Sequence, residues 1–145
     1  MSTYFFLLLL HLFAALLFVG TVLFELTVLR PVFRNLPENQ ERTIEKAIGQ
    51  RIVRVLPAAL VVLYLAGIGL AWHHRAALAH PFSSTFATLL WLKIVLAISV
   101  LGHVVVAMRW RRRNLLHGTR SRRLHYSVYV HMLLIVVLAK AMFYL

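Results

Sequence analysis

Three histidines, two lysines and one glutamate lie inside long apolar runs of this chain: His11, His103, His131, Lys93, Lys140 and Glu25, with Lys140 near the end of its run, where its side chain can snorkel. An ionisable group in an apolar run marks a functional site by default, because its desolvation must be offset by something. Neutral imidazole binds haem iron, copper or zinc, or relays protons. At ~1.5 Å per residue, His103 lies about 9 Å from Arg109 and His131 about 12 Å from Arg123. The two rings therefore reach a similar depth from two basic segments. Two imidazoles on facing helices at one depth suit b-type haem, with the macrocycle edge-on and its propionates reaching arginines. Gly102 thins the helix beside His103, where a flat ligand needs room. Ser99, one turn earlier, shares the face of His103 and can hydrogen-bond a ring. His11 lies nearer the opposite end of its run and serves a second site with His73 or His74, or acts as an alternative ligand. The competing reading of all three histidines is hydrogen-bonded packing. Lys93 and Glu25 are the candidate catalytic groups. Lys93 is read as facing the interior, and Glu25 either forms a salt bridge to a nearby arginine or serves a cofactor or proton site.

The elements that carry these residues are four apolar windows: Tyr4–Leu29, Ile52–Trp72, Thr85–Met108 and Leu124–Leu145. Each is close to the ~20 residues that a membrane helix needs. His11, Phe18 and Glu25 are spaced by seven, so they share one helix face. Pro31 and Pro37 end the first helix. Ile44, Ile48, Ile52 and Val55 recur at helical spacing among Glu41, Glu45 and Lys46, which predicts a short amphipathic surface helix feeding the second span. Pro57 predicts a kink there. Gly67 and Ala71 form a small-xxx-small pair that lets a neighbouring helix or a cofactor approach. Ser84 is placed to cap the third helix. Gly118 marks the turn of the last connection.

The 145 residues are 61% apolar and carry only 14% charge, so the expectation is a single all-α membrane domain, an antiparallel four-helix bundle. The net charge of +12 is sorted by position. Arg30, Arg34, Arg42, Lys46, Arg51 and Arg54 flank the first connection, and Arg109, Arg111, Arg112, Arg113, Arg120, Arg122 and Arg123 fill the third. Only Arg75 lies in the second. The asymmetry argues against nucleic acid as the partner and makes the arginine-rich side cytoplasmic. Both termini are then periplasmic in a bacterial-type inner membrane. The N-terminal run lacks a basic leader and is too long for a cleavable signal, so it reads as an inserted first span. Arg111–Arg113 suit anionic lipid headgroups. With no cysteine in the chain, disulfides, iron–sulfur clusters and covalent Cys-x-x-Cys-His haem attachment are excluded.

Several of these motifs together resemble a known family. Leu10-His11-Leu12-Phe13 is followed by Gly20. Glu45-Lys-Ala-Ile precedes Pro57 and Gly67. Trp91-Leu-Lys93 is followed by Gly102-His103 and an arginine-rich exit, and the last helix ends in Val-Leu-Ala-Lys140. The chain resembles the haem-containing bacterial protoporphyrinogen IX oxidases of HemJ type and their relatives in the copper-resistance CopD superfamily. Phe18-Val-Gly20 stands where the oxidases carry Trp-x-x-Gly, and Leu124-His-Tyr-Ser-Val-Tyr-Val-His131 replaces their Asn-Glu-Val-Pro-like opening. These departures bear on porphyrinogen oxidation more than on haem binding.

The resemblance implies a membrane haem-b oxidoreductase. In it His103 would be a haem ligand, His131 its partner or neighbour, and His11 and Lys93 site groups. Porphyrin or an electron carrier would be the partner beside the lipid bilayer, and self-association would help four helices enclose a haem. The alternatives are copper transport or tolerance, as in the CopD relatives, and a non-catalytic helical subunit or assembly factor.

Overall fold

The computed structural model describes residues 2–113 and 118–145. Among them every regular element is helical. The chain packs as two compact units, Met1–His73 and His74–Leu145. Among the described residues, four helices are long and apolar enough to cross a membrane: Thr3–Phe33, Glu38–His73, Thr85–Arg112 and Arg122–Ala141. A multi-pass arrangement in a lipid bilayer fits this pattern.

In the first unit, α1 (Thr3–Phe24) starts at Ser2, whose hydroxyl accepts from the Phe5 amide at 3.4 Å. That satisfies one of the donors that a helix start leaves open. The helix does not stop near Leu29, as its prolines suggested. A π-helical turn over Glu25–Leu29 leads into α2 (Arg30–Phe33), so the helical run reaches Phe33. The reason lies in Pro31. It has no N–H to donate, and in an α-helix its ring would crowd the carbonyl four residues back. The wider turn before it loosens that contact, with the Arg30 amide bonding the Glu25 carbonyl. The same register stacks side chains five apart, which an α-helix would separate by about 140°. Arg30 accordingly sits 3.7 Å from the Glu25 carboxylate.

After a turn through Asn35 and Leu36, α3 (Glu38–His73) runs unbroken for 36 residues. The amphipathic stretch around Ile44 is its first part and not a separate element. At ~1.5 Å per residue α3 is about 54 Å long, far more than the ~30 Å of a hydrocarbon core. Its polar opening, residues 38–51, is mostly exposed and carries the Glu38–Arg42 ion pair at i,i+4 spacing. Pro57 lies inside this helix without ending it.

The unit is held by small residues and bulky ones that meet them. Ala14, Phe18 and Val22 form the buried stripe of α1, and Ala59, Leu60 and Ala66 that of α3. Tyr4 packs edge-on to His73 with ring centres 5.4 Å apart, Leu7 lies on Gly69 and His11 on Gly67.

The second unit holds α4 (Arg75–Ala79), α5 (Thr85–Arg112) and α6 (Gly118–Ala141). Ser84 caps α5 as its position suggested, with extended backbone and its hydroxyl accepting from the Ala87 amide at 3.1 Å. The Trp91 indole N–H donates to the Leu78 carbonyl at 3.0 Å and ties α5 to α4. Ala87, Leu90 and Val100 of α5 and Leu124, Val128 and Met132 of α6, with Met142 just past its end, form the core. The expected turn at Gly118 is helical, because α6 begins there and not near Leu124. The rest of the expected connection, residues 114–117, lies outside the described residues.

Candidate functional site: a reciprocal histidine–serine cluster

The second unit brings His103 of α5 and His131 of α6 together, with ring centres 5.1 Å apart and the planes tilted by 53°. Each ring is tied to both helices. His103 Nδ1 lies 2.7 Å from the Ser99 carbonyl, and His131 Nδ1 lies 2.8 Å from the Ser127 carbonyl. A carbonyl can only accept, so in each neutral ring Nδ1 carries the hydrogen and Nε2 offers a lone pair. A serine of the opposite helix fills that acceptor. The Ser127 hydroxyl donates to His103 Nε2 at 2.8 Å, and the Ser99 hydroxyl donates to His131 Nε2 at 3.0 Å. Four side chains thus make four bonds in a two-fold pattern.

The sequence builds this pattern twice. Ser99-Val-Leu-Gly-His103 and Ser127-Val-Tyr-Val-His131 are both Ser-Val-x-x-His. Spacing of four places Ser above His on one helix face, and the valine between them, Val100 or Val128, is buried in the core. Ser99 was legible as a ring partner. Ser127 was not singled out, and the repeated motif is the signal that would have found it.

Beside the cluster lies a groove of about 650 Å³ lined by Ser99, Gly102, His103, Val106, Trp110, Arg123, Leu124 and Ser127. Gly102 leaves it open, since a Cβ there would meet nothing within 4 Å. His131 is not among the lining residues.

The other expected site residues lie elsewhere. His11 belongs to the first unit, where its Nδ1 lies 3.0 Å from the Leu63 carbonyl and its ring rests on Gly67. The close approach that Gly67 permits is therefore used by His11 itself. His73 bonds the Gly69 carbonyl of its own helix at 2.8 Å. Glu25 pairs with Arg30 across the π-helical turn. Lys93 is half-buried on α5, ten residues and about 15 Å along the helix from His103. Among the described residues no group of three or more His, Cys, Asp or Glu gathers as a metal cage. Comparison with family models, curated proteins and solved structures finds no match to this chain.

Proposed function

We propose that this protein is a membrane haem-b protein of oxidoreductase type, an antiparallel four-helix bundle of a bacterial-type inner membrane with both termini periplasmic. The observation that carries this reading is the fixed tautomer of His103. Its Nδ1–H is anchored on a backbone carbonyl and its Nε2 lone pair is covered only by a serine hydroxyl. Metal-ligating histidines are oriented by this kind of outer bond. The groove on which His103 opens is apolar along Gly102, Val106 and Leu124 and ends at Arg123. That donor set fits a macrocycle with acidic side chains.

The cluster supports His103 as the residue that would hold a haem, with His131 as its partner or neighbour. Two imidazoles on opposite sides of one metal, each at about 2.0–2.1 Å, have ring centres roughly 6 Å apart. The rings of His103 and His131 are closer, at 5.1 Å, and each Nε2 addresses a serine of the other helix. His103 would hold the iron after Ser127 is displaced, and His131 would stay bonded to Ser99. Held by one histidine, a haem would supply a site open for chemistry on a bound substrate, as a porphyrinogen-oxidising activity requires. Lys93 and Glu25 remain the candidate proton or charge groups, and His11 a packing residue or a member of a second site.

A second reading is supported by the same cluster. All four ring nitrogens of His103 and His131 already have partners, which is what a non-catalytic helical subunit would need from histidines that only pack. One experiment separates the two. Protein purified from haem-replete cells should show a Soret band that shifts on dithionite reduction, with sharp visible bands if His131 also ligates and one broad band if His103 alone does, and pigment extractable by acid acetone. His103→Ala should lose or alter the spectrum, and His80→Ala should leave it intact. A colourless, folded and functional preparation rejects the haem reading in favour of packing.

A further inference from the structure

The second unit has no acidic residue of its own: residues 74–145 contain neither Asp nor Glu. Apart from Arg75, its arginines gather at one end, with Arg109, Arg111 and Arg112 in the last turn of α5 and Arg122 and Arg123 near the start of α6. The chain cannot balance them from elsewhere. Its four acids are Glu25, Glu38, Glu41 and Glu45, and the first two already pair with Arg30 and Arg42. So many uncompensated arginines call for anions from outside the chain.

The groove beside the His–Ser cluster opens at this basic end. Its deep polar groups, Ser99, His103 and Ser127, satisfy one another. What is left for a ligand is an apolar wall of Gly102, Val106 and Leu124, with Trp110 and Arg123 lining it as well. Tryptophan and arginine together mark the headgroup level of a bilayer. Its volume, about 650 Å³, lies in the range of roughly 300–1,000 Å³ found for ligand clefts. Basic pockets between membrane helices bind anionic headgroups by this combination of charge and apolar lining.

We infer that the α5–α6 groove is a specific site for one anionic glycerophospholipid. Its phosphate is held by Arg123 beside Trp110, and an acyl chain lies along Val106 and Leu124. The headgroup end is separate from the imidazoles, because Trp110 is seven residues and about 10 Å along α5 from His103. The acyl chain would lie along the same wall of Val106 and Leu124 that the haem reading gives to the macrocycle, so the two occupants exclude each other, and the inference is drawn for the haem-free protein.

The three tryptophans, Trp72, Trp91 and Trp110, make a direct test available. In the full chain carrying Trp72→Phe and Trp91→Phe, Trp110 is the sole indole. Reconstitution with phosphatidylglycerol or phosphatidylcholine bearing brominated acyl chains, each as a minor component of phosphatidylcholine vesicles, reads chain contact as quenching. Phosphatidylglycerol should quench at about fivefold lower mole fraction, the effect of one arginine at an anionic headgroup. Arg123→Gln should remove that preference and Arg111→Gln should keep it. Gly102→Leu, whose Cβ would meet nothing within 4 Å, puts a side chain into the groove and should abolish preferential quenching. His103→Ala removes the residue that would hold haem but no lipid contact, so it should leave the lipid preference in place, or raise it where haem had filled the groove, and the two proposals fail separately. Equal quenching by both lipids, equal losses in Arg123→Gln and Arg111→Gln, or no effect of Gly102→Leu would each overturn the site.

Discussion

Ser127 is the residue whose substitution divides the readings of the His–Ser cluster most cleanly. Its hydroxyl covers His103 Nε2 at 2.8 Å. Side-chain hydrogen bonds between helices in membranes contribute about 0.6 kcal/mol on average and ~1.7 at most. Ser127→Ala should therefore lower the unfolding free energy in mild detergent by about that much. If His103 is a haem ligand, the same substitution uncovers its lone pair, and haem content should hold or rise as stability falls. If the histidines only pack, Ser127→Ala and Ser99→Ala should act alike, each costing stability with no spectral consequence. A loss of haem in Ser127→Ala as complete as in His103→Ala would show that the serine does more than cover a ligand. Ser99 and His103 were legible from their spacing on one face. Their cross-helix bonds were not, because spacing of four fixes a face but leaves the facing helix unnamed.

Between α1 and α3 the decisive contact is an imidazole against a glycine. A Cβ at Gly67 would stand 3.2 Å from His11 Cε1 and 3.3 Å from its Nδ1, tighter than packed atoms accept without shifting. Because the His11 ring is held by the Leu63 carbonyl, Gly67→Ala should cost about 1–3 kcal/mol through overpacking, partly offset by the ~1 kcal/mol that alanine gains over glycine inside a helix, and should displace the ring from that carbonyl. His11→Ala leaves that position roomy, so adding Gly67→Ala to it should cost much less than it does alone. Coupling of this kind between touching residues is about 0.5–3 kcal/mol, and thermal unfolding of the four proteins of the cycle measures it. Additive losses would mean that His11 does not rest on Gly67 in solution. The small-xxx-small pair at Gly67 and Ala71 was readable as a close-approach site, but not that a histidine fills it. The four apolar runs were readable because length and hydropathy are properties of a segment alone. The helix through Pro31 was not, since a π-helical turn depends on how the hydrogen-bond ladder is rerouted before the proline, and no residue type announces it. The continuity of α3 escaped for a related reason. A change from polar to apolar composition at Arg51 looks like a boundary between elements, yet the backbone needs no break to carry it.

For the molecule as a whole, the strongest signal is the sorting of charge. Six basic residues from Arg30 to Arg54 and seven from Arg109 to Arg123 flank the first and third connections, against Arg75 alone in the second. The four apolar helices are separated by these same connections. Positive charge near the ends of spans is retained on the cytoplasmic side, and short connections count most. The 38–51 extension of α3 strengthens the bias, since Arg42, Lys46 and Arg51 lie on an exposed helix outside the length that a bilayer can cover. Both termini should therefore be periplasmic. A phosphatase reporter, active only outside the cytoplasm, should be active when fused after Leu145 and inactive when fused after Asn35. The reverse pattern would overturn the orientation. The second connection offers the complementary control. Replacing His73, His74 and His80 by lysine adds three charges beside Arg75 and narrows the asymmetry, so a fraction of the molecules should invert and the Leu145 fusion should lose activity. If orientation is set by these charges, removing Arg111, Arg112 and Arg113 in that background should deepen the loss. A fusion indifferent to both sets of substitutions would place control of orientation elsewhere in the chain.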